Sequence, residues 1–130
     1  MPCRDISSGC PNQCIFCLGR RMVGHKVRYR TPGLIVDEIE DIISYGFTRI
    51  NIADDLFTAN KDRVRIFCEE LKHRGVKIPW TAFSRVNTVD EEVLAVMREA
   101  GCDSVSFGIE SGNPEMLKRV KKGITLEQAR

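Results

Sequence analysis

Three cysteines set close together are the residues of this sequence with the clearest capacity for chemistry. Cys10, Cys14 and Cys17 have the spacing C-x3-C-x2-C within residues 9–17. Cysteine thiolates are the usual ligands of iron–sulfur clusters, and a 4Fe-4S cluster is normally held by four of them. Three thiolates leave one iron without a protein ligand. The spacing therefore predicts a 4Fe-4S cluster with one position open to a ligand that is not protein.

Two other arrangements of these thiols are open on the sequence alone. A zinc ion could take His25 as a fourth ligand and form a closed Cys3His site. Disulfides are less favoured, because residues 1–8 contain no charged-then-apolar secretory pattern that would point to an oxidising compartment. The spacing favours the cluster over both alternatives.

The remaining three cysteines lie outside the triplet. Cys68 falls on the apolar face of a predicted helix, and Cys102 follows a glycine that ends another predicted helix. Buried free cysteine usually behaves as a small hydrophobic residue. We therefore expect Cys68 and Cys102 to be structural, and Cys3 has no assigned role.

The composition favours one globular domain over residues 1–130. With 42% hydrophobic and 29% charged residues, the chain has enough apolar content for a core and enough charge for a hydrated surface. The sequence has no apolar run of the roughly 18 residues that a membrane span needs. A net charge of +2 argues against binding a polyanion over the whole surface. A cytoplasmic location without membrane partners is expected.

A local excess of positive charge follows the cysteine segment, from Arg20 to Arg30. A solvated loop is the ordinary explanation. The functional explanation is a basic lip that faces an anionic substrate, a phosphate-bearing cofactor or RNA. Nucleic acid is thus an open but less favoured partner.

Short apolar strands alternate with amphipathic helices along the chain, and glycines end the helices. Asp90, the pair Asn113-Pro114 and the pair Thr125/Gln128 are predicted to cap helices. The predicted strands are residues 4–8, 49–53, 77–82 and 104–109, and the predicted helices run over residues 32–45, 60–74 and from 90 to about 100, with two more beginning near 114 and 126.

Strands separated by single helices require right-handed crossovers and form parallel sheets. Four βα units share 130 residues, about 32 residues each, which is close to the roughly 30 per unit of a (β/α)8 barrel. We predict an α/β fold made of about four units of a parallel barrel that does not close. Its open sheet edge could pair with a second copy.

Polar residues follow each predicted strand, and the carboxyl ends of parallel strands meet at one rim. Taken singly, an aspartate after a strand is more often a cap or a turn residue. Together with a metal loop at the same rim, these residues form a candidate ligand-binding set. None is an obvious general acid or base, and His25 and His73 are expected at the surface. The set comprises Asp54, Asp55, Ser84, Arg85, Glu110 and Ser111.

Three segments resemble the radical S-adenosylmethionine (SAM) superfamily: the cysteine triplet with Phe16, residues 51–58, and residues 108–115. The resemblance implies that the triplet holds the cluster and that Phe16 contacts adenine through its backbone. It also implies that a reduced cluster cleaves SAM to a 5′-deoxyadenosyl radical, which abstracts hydrogen from the substrate. The implied SAM contacts are Asp54 and Asp55 near the amine and Glu110 at the amine or ribose. Ser111 follows Glu110 in the same motif and belongs to the candidate cofactor-binding set, while Ser84 and Arg85 rest only on their position after a strand.

The forms of the second and fourth motifs resemble the branch of the family that also carries a cobalamin-binding domain. Many members of that branch are methyltransferases or ring-rearranging enzymes, so a cobalamin-dependent methyltransferase with a small-molecule substrate is expected. Later barrel motifs would lie beyond Arg130, and we do not expect this chain alone to turn over substrate. The alternatives are a tRNA methylthiotransferase-like enzyme and a non-catalytic zinc, redox or nucleic-acid-binding module.

Overall fold

The computed structural model describes residues 3–4, 7–8, 10–18, 21–22, 24, 26–54 and 56–130. The elements in chain order are β1 (Cys3–Arg4), β2 (Ser7–Ser8), β3 (Arg28–Tyr29), α1 (Pro32–Ser44), β4 (Ile50–Ile52), α2 (Lys61–His73), β5 (Trp80–Ser84), α3 (Glu91–Glu99), β6 (Cys102–Phe107), α4 (Pro114–Arg119) and α5 (Leu126–Ala129). Two short 3-10 turns, Phe57–Ala59 and Val86–Thr88, follow β4 and β5.

The main sheet has four parallel strands in the order β1-β4-β5-β6. Cys3 pairs with Asn51, Ile50 with Trp80, and Trp80 with Cys102. Over the described residues the sheet does not close on itself, and β1 and β6 form its edges. The predicted α/β fold, an unclosed parallel part of a barrel, is confirmed.

Side-chain caps mark where helices α2 to α5 begin, and those at Asp90, Asn113 and Thr125 are the predicted ones. The Asn60 side chain accepts hydrogen bonds from the Asp62 and Arg63 amides at the start of α2, and Asp90 accepts one from the Val93 amide at 2.8 Å. Such caps satisfy amide groups that have no partner inside the helix. Asn113 caps α4 in the same way, and Thr125 with Gln128 forms a capping box.

The core lies between helices α1, α2 and α3 and one face of the sheet. Trp80 is fully buried, with Phe57 and Phe67 packed edge-to-face against it at centroid distances of 5.4 and 5.7 Å. Its indole Nε1–H donates to the Ala100 carbonyl at 3.0 Å, so its polar atom is satisfied. The opposite sheet face leaves Phe83 47% exposed. This second face is the one that would line the interior of a closed barrel.

The strand bounds differ from the prediction by one to three residues, most clearly in the third and fourth strands. The third strand begins at Trp80 rather than at residue 77, and the fourth is Cys102–Phe107 rather than 104–109. Pro79 explains the first difference, because proline has no amide hydrogen for the ladder, and only its carbonyl is used, by the Ile50 amide.

The predicted first strand, residues 4–8, corresponds to two separate pairs. Cys3–Arg4 joins the parallel sheet, whereas Ser7–Ser8 pairs antiparallel with Arg28–Tyr29. Part of the basic segment is therefore a strand rather than only a loop. None of the helices formed by the described residues is long and apolar enough to cross a bilayer.

Gly101 occupies a position that an alanine side chain cannot share. Its φ is +102°, and a Cβ there would lie 2.8 Å from the Ile78 carbonyl oxygen, whereas a Cβ at Gly75, with φ +65°, would have open space. We expect Gly75→Ala to lower the free energy of unfolding by about 1 kcal/mol through backbone strain alone. Gly101→Ala should lower it by a further 1–3 kcal/mol or so through the added clash. Urea denaturation of both variants measures this difference, and equal losses would contradict the packing described.

Candidate functional site

A cavity of about 350 Å³ lies at the carboxyl ends of the parallel strands. The loop after β2 contributes its three cysteines and Phe16 to the lining. Strand ends contribute polar residues that are almost fully buried: Asp54 is 3% exposed, Ser84 6% and Arg85 8%. Glu110, after β6, also lines the cavity. Segments far apart in sequence thus meet at one rim, as the strand-end argument predicts.

One other predicted site residue, Ser111, is placed differently. Ser111 is not part of the cavity lining, and its Oγ accepts a hydrogen bond from the Asn113 amide at 3.1 Å, before α4. Asp55 and His25 lie outside the described residues. The binding roles of Asp55 and Ser111 stay predictions.

The cysteine loop is held by hydrogen bonds to its sulfurs and to its backbone. Arg85 Nη1 donates to Cys14 Sγ at 3.3 Å, and Asn12 Nδ2 donates to Cys10 Sγ at 3.3 Å. The Ile15 amide donates to the Val120 carbonyl, just after α4, at 3.1 Å. The described residues contain no group of three His, Cys, Asp or Glu side chains placed around a single metal ion. The three thiols lie around one cavity instead.

Two buried polar atoms at the cavity have no hydrogen-bond partner among the described residues: Ser84 Oγ and Arg85 Nη2. Nearly all buried polar groups in proteins are hydrogen-bonded, and each exception calls for an explanation. Leaving such groups unpaired costs about 1–3 kcal/mol each. A polar ligand in the cavity would supply the missing partners.

Glu110 and a residue that the sequence did not single out, Lys122, form an ion pair at 3.2 Å. Lys122 is 6% exposed and lines the same cavity. Sequence alone could not separate it from its exposed neighbour Lys121, because both follow a short helix in a charged segment. Only the turn geometry after α4 distinguishes them.

The backbone at Glu110 is strained, with φ +73° in the left-handed region that glycine favours. A Cβ at Gly108 would lie 2.9 Å from Glu110 Oε1 and 3.3 Å from Lys122 Nζ, so a larger residue there would displace these two side chains. Strain of this kind often concentrates at ligand-binding sites. The geometry is therefore that of a site built around the Glu110 carboxylate.

Cys68 and Cys102 lie far from this chemistry, in the core. Burial raises the pKa of Cys68 to about 12 and that of Cys102 to about 11. Phe57, part of the second-strand motif, also packs in the core against Trp80. His73 is exposed at the end of α2, as expected, and Arg30 of the basic segment pairs with Glu38.

The sequence profile of the Radical SAM superfamily matches residues 5–130. The chain belongs to this superfamily. The predicted resemblance to the radical SAM family is thereby confirmed.

Two of the curated relatives are named as methyltransferases and are several times longer than this chain. An uncharacterized methyltransferase of Pyrococcus horikoshii is 40% identical over 124 residues, which are 95% of this chain and 27% of the relative. Cytidylyl-2-hydroxyethylphosphonate methyltransferase of Streptomyces wedmorensis is 36% identical over 129 residues, 94% of this chain and 23% of the relative. The chain thus spans about a quarter of the length of these curated relatives.

A solved structure of similar fold is that of the cobalamin-dependent SAM radical enzyme OxsB with aqua-cobalamin and SAM bound. It matches with a TM-score of 0.86 and 26% identity, over 97% of this chain and 20% of that one. The similar fold agrees with membership of the radical SAM superfamily.

Thiol reactivity should separate the two groups of cysteines. At pH 8 in the absence of metal, we expect iodoacetamide to label exposed Cys17 and to leave Cys68 and Cys102 unmodified, because burial blocks access and the raised pKa values keep both thiols protonated. Peptide mass spectrometry before and after unfolding in urea measures this. Rapid labelling of Cys68 in the folded protein would contradict its structural assignment.

Proposed function

We propose that residues 1–130 form the N-terminal part of a radical SAM barrel, which binds a 4Fe-4S cluster and SAM in the cavity at its strand ends. The observation that carries this proposal is the convergence of three thiols, two unpartnered buried polar atoms and buried charged side chains on one cavity. A site with these features is suited to a cluster and a zwitterionic, hydroxyl-rich ligand.

The thiols fit the cluster. Cys10, Cys14 and Cys17 would each hold one iron, and the fourth iron would stay open. The hydrogen bonds that Arg85 and Asn12 donate to two of the sulfurs would stabilise their negative charge. The Ile15 amide, bonded to Val120, would keep the loop fixed at the rim.

The polar groups fit SAM. Carboxylates of Asp54 and Glu110 suit an amine and ribose hydroxyls, and Arg85 Nη2 suits a carboxylate because guanidinium donors pair with it well. The Phe16 backbone would meet adenine. Asp55 and Ser111 complete the set that the resemblance implies.

When bound, the cluster and SAM supply one-electron cleavage of a carbon–sulfur bond. The residues of this chain hold the reactants still during that event. Burial of Asp54, Ser84 and Arg85 keeps bulk water away from the strand ends and strengthens each electrostatic contact there.

We further propose that the reaction class is cobalamin-dependent methyl transfer, with the cobalamin-binding domain elsewhere in the parent protein. The similarity to methyltransferases and to cobalamin-dependent OxsB supports this class over a tRNA methylthiotransferase. Superfamily membership argues against a non-catalytic zinc, redox or nucleic-acid module. The cytoplasmic location stays a prediction.

Anaerobic reconstitution tests the cluster and its open iron together. With iron and sulfide, the intact protein should turn brown, and the electron paramagnetic resonance spectrum of the reduced cluster should change when SAM is added. Cys14→Ala should abolish cluster assembly, whereas the matched variant Cys68→Ala should keep its iron content, since only Cys14 supplies a ligand.

Two outcomes would refute the proposal. Equal loss of iron in the two cysteine variants would mean that the triplet is not the ligand set. Stoichiometric zinc that resists removal, with no response to SAM, would support a closed metal site instead.

Arg85 should tune the cluster. A hydrogen bond and a positive charge beside a thiolate ligand stabilise the reduced cluster and raise its reduction potential. We expect Arg85→Met to lower the potential by on the order of 60 mV, equivalent to about 1.4 kcal/mol for one electron. A spectroscopic redox titration without SAM measures the shift.

Arg98→Met, an exposed change on α3, is the matched control and should leave the potential unchanged. Arg85→Lys keeps the charge, so its reduction potential should lie between those of the parent protein and of Arg85→Met. A potential in Arg85→Met equal to that of the parent protein, at equal iron content, would remove Arg85 from the cluster environment.

A further inference from the structure

Lys122 is a buried cation to which the proposed function gives no role. Its side chain is 7% exposed, and lysine is almost never buried without a partner because transferring its charge out of water is costly. Its ammonium lines the cavity that holds the three thiols. Such a residue requires an explanation of what places it there and what it contacts.

The turn after α4 directs Lys122 inward. The Lys122 amide donates to the Leu117 carbonyl at 3.0 Å, and the Lys121 amide donates to the Lys118 carbonyl at 3.1 Å. This is the pattern of a Schellman turn, whose left-handed position is usually glycine. Here Lys121 occupies it with φ +52°. The chain therefore accepts an unfavourable backbone conformation immediately before the buried lysine.

Lys122 connects two parts of the cavity that are distant in sequence. Its Nζ lies 3.2 Å from Glu110 Oε1 and 5.5 Å from the centroid of the Phe16 ring. A cation at this distance from a ring face is attracted to it. The lysine thus bridges the loop after β6 and the cysteine loop.

The ammonium has hydrogen-bonding capacity beyond this pair. Among the described residues, Glu110 is the one acceptor that its Nζ contacts. A lysine ammonium has three N–H donors, so donors remain for a group within the cavity. Gly108 leaves the room for this arrangement, since a Cβ there would crowd both charged groups.

We propose that Lys122 is a positioning residue for the SAM site. It orients the Glu110 carboxylate through their ion pair, and through Phe16 it fixes that carboxylate relative to the cysteine loop. Without Lys122, the Glu110 side chain loses its partner and can rotate away from the ligand. This inference rests on the proposed function and deepens it.

A double-mutant cycle on SAM affinity tests the inference in the intact, anaerobically reconstituted protein. Lys122→Met and Glu110→Gln should each raise the Kd for SAM by roughly tenfold or more, equivalent to about 1.4 kcal/mol. The Kd of the double variant for SAM should exceed that of the weaker-binding single variant by no more than about threefold, because the two residues act as one unit. Equilibrium dialysis with labelled SAM measures Kd, and iron content is measured in parallel.

Two further variants separate positioning from folding. Lys118→Met, an exposed change on α4, should leave both Kd and iron content unchanged. Lys122→Arg, which keeps the charge, should restore Kd to within about threefold of the parent protein. If Lys122→Met loses iron, the Kd for SAM is compared between Lys122→Gln and Lys122→Arg instead. We then expect tight SAM binding in the arginine variant and weak binding in the glutamine variant.

Each remaining outcome overturns the inference. An unchanged Kd in Lys122→Met would mean that Lys122 does not act on the SAM site. Losses that multiply in the double variant would mean that Lys122 acts independently of Glu110. If the parent protein holds no cluster or does not respond to SAM, it is the proposed function that fails, so the two failures are distinguishable.

Discussion

The parallel register of β4, β5 and β6 is the constraint on which the rest of the structure depends. Ile50 pairs with Trp80 and Trp80 with Cys102, so the three strands begin at one level, and residues at or after their carboxyl ends line one cavity. The sheet therefore brings together residues that follow different strands and are far apart in the sequence. The buried Trp80 lies at this first level of pairing, where its ring fills the core and its Nε1–H donates to the carbonyl that precedes Gly101. A change in register would move the strand-end residues apart.

The rim carries more buried polarity than folding alone would favour. Asp54, Arg85 and Lys122 are all nearly inaccessible, and Arg85 keeps an unpartnered donor. Burying a charge is unfavourable unless pairing and hydrogen bonds offset the loss of water. The sulfur of Cys14 and the carboxylate of Glu110 offset part of it. The polar atoms left unpaired, Ser84 Oγ and Arg85 Nη2, are available to hydrogen-bond a ligand. The same groups that weaken the fold therefore prepare it for binding.

The sequence could predict the residues at the rim more reliably than the strands that carry them. Asp54, Ser84, Arg85 and Glu110 follow from one rule, that chemistry collects at the carboxyl ends of parallel strands, and this rule survives errors of two or three residues in the strand bounds. Pro79 shifts the third strand without moving its end from the rim. The β2–β3 pair was missed because two-residue strands contain no periodicity. Lys122 was missed because its burial depends on a turn that is normally marked by glycine.

Among the described residues, Glu110 and Lys121 are the two non-glycine positions with positive φ, and they flank α4. The short helix is therefore entered and left through unfavourable backbone conformations, and the side chains of Glu110 and of Lys122, next to Lys121, meet across the cavity. Strain at one end alone could reflect a local turn preference. Strain at both ends, joined by an ion pair and by the bond from Val120 to the cysteine loop, indicates that α4 acts as a brace between the fourth strand and the thiols. Such strain persists only where surrounding contacts over-determine it, and here those contacts are the Glu110–Lys122 ion pair in the cavity and the hydrogen bond between Ile15 and Val120.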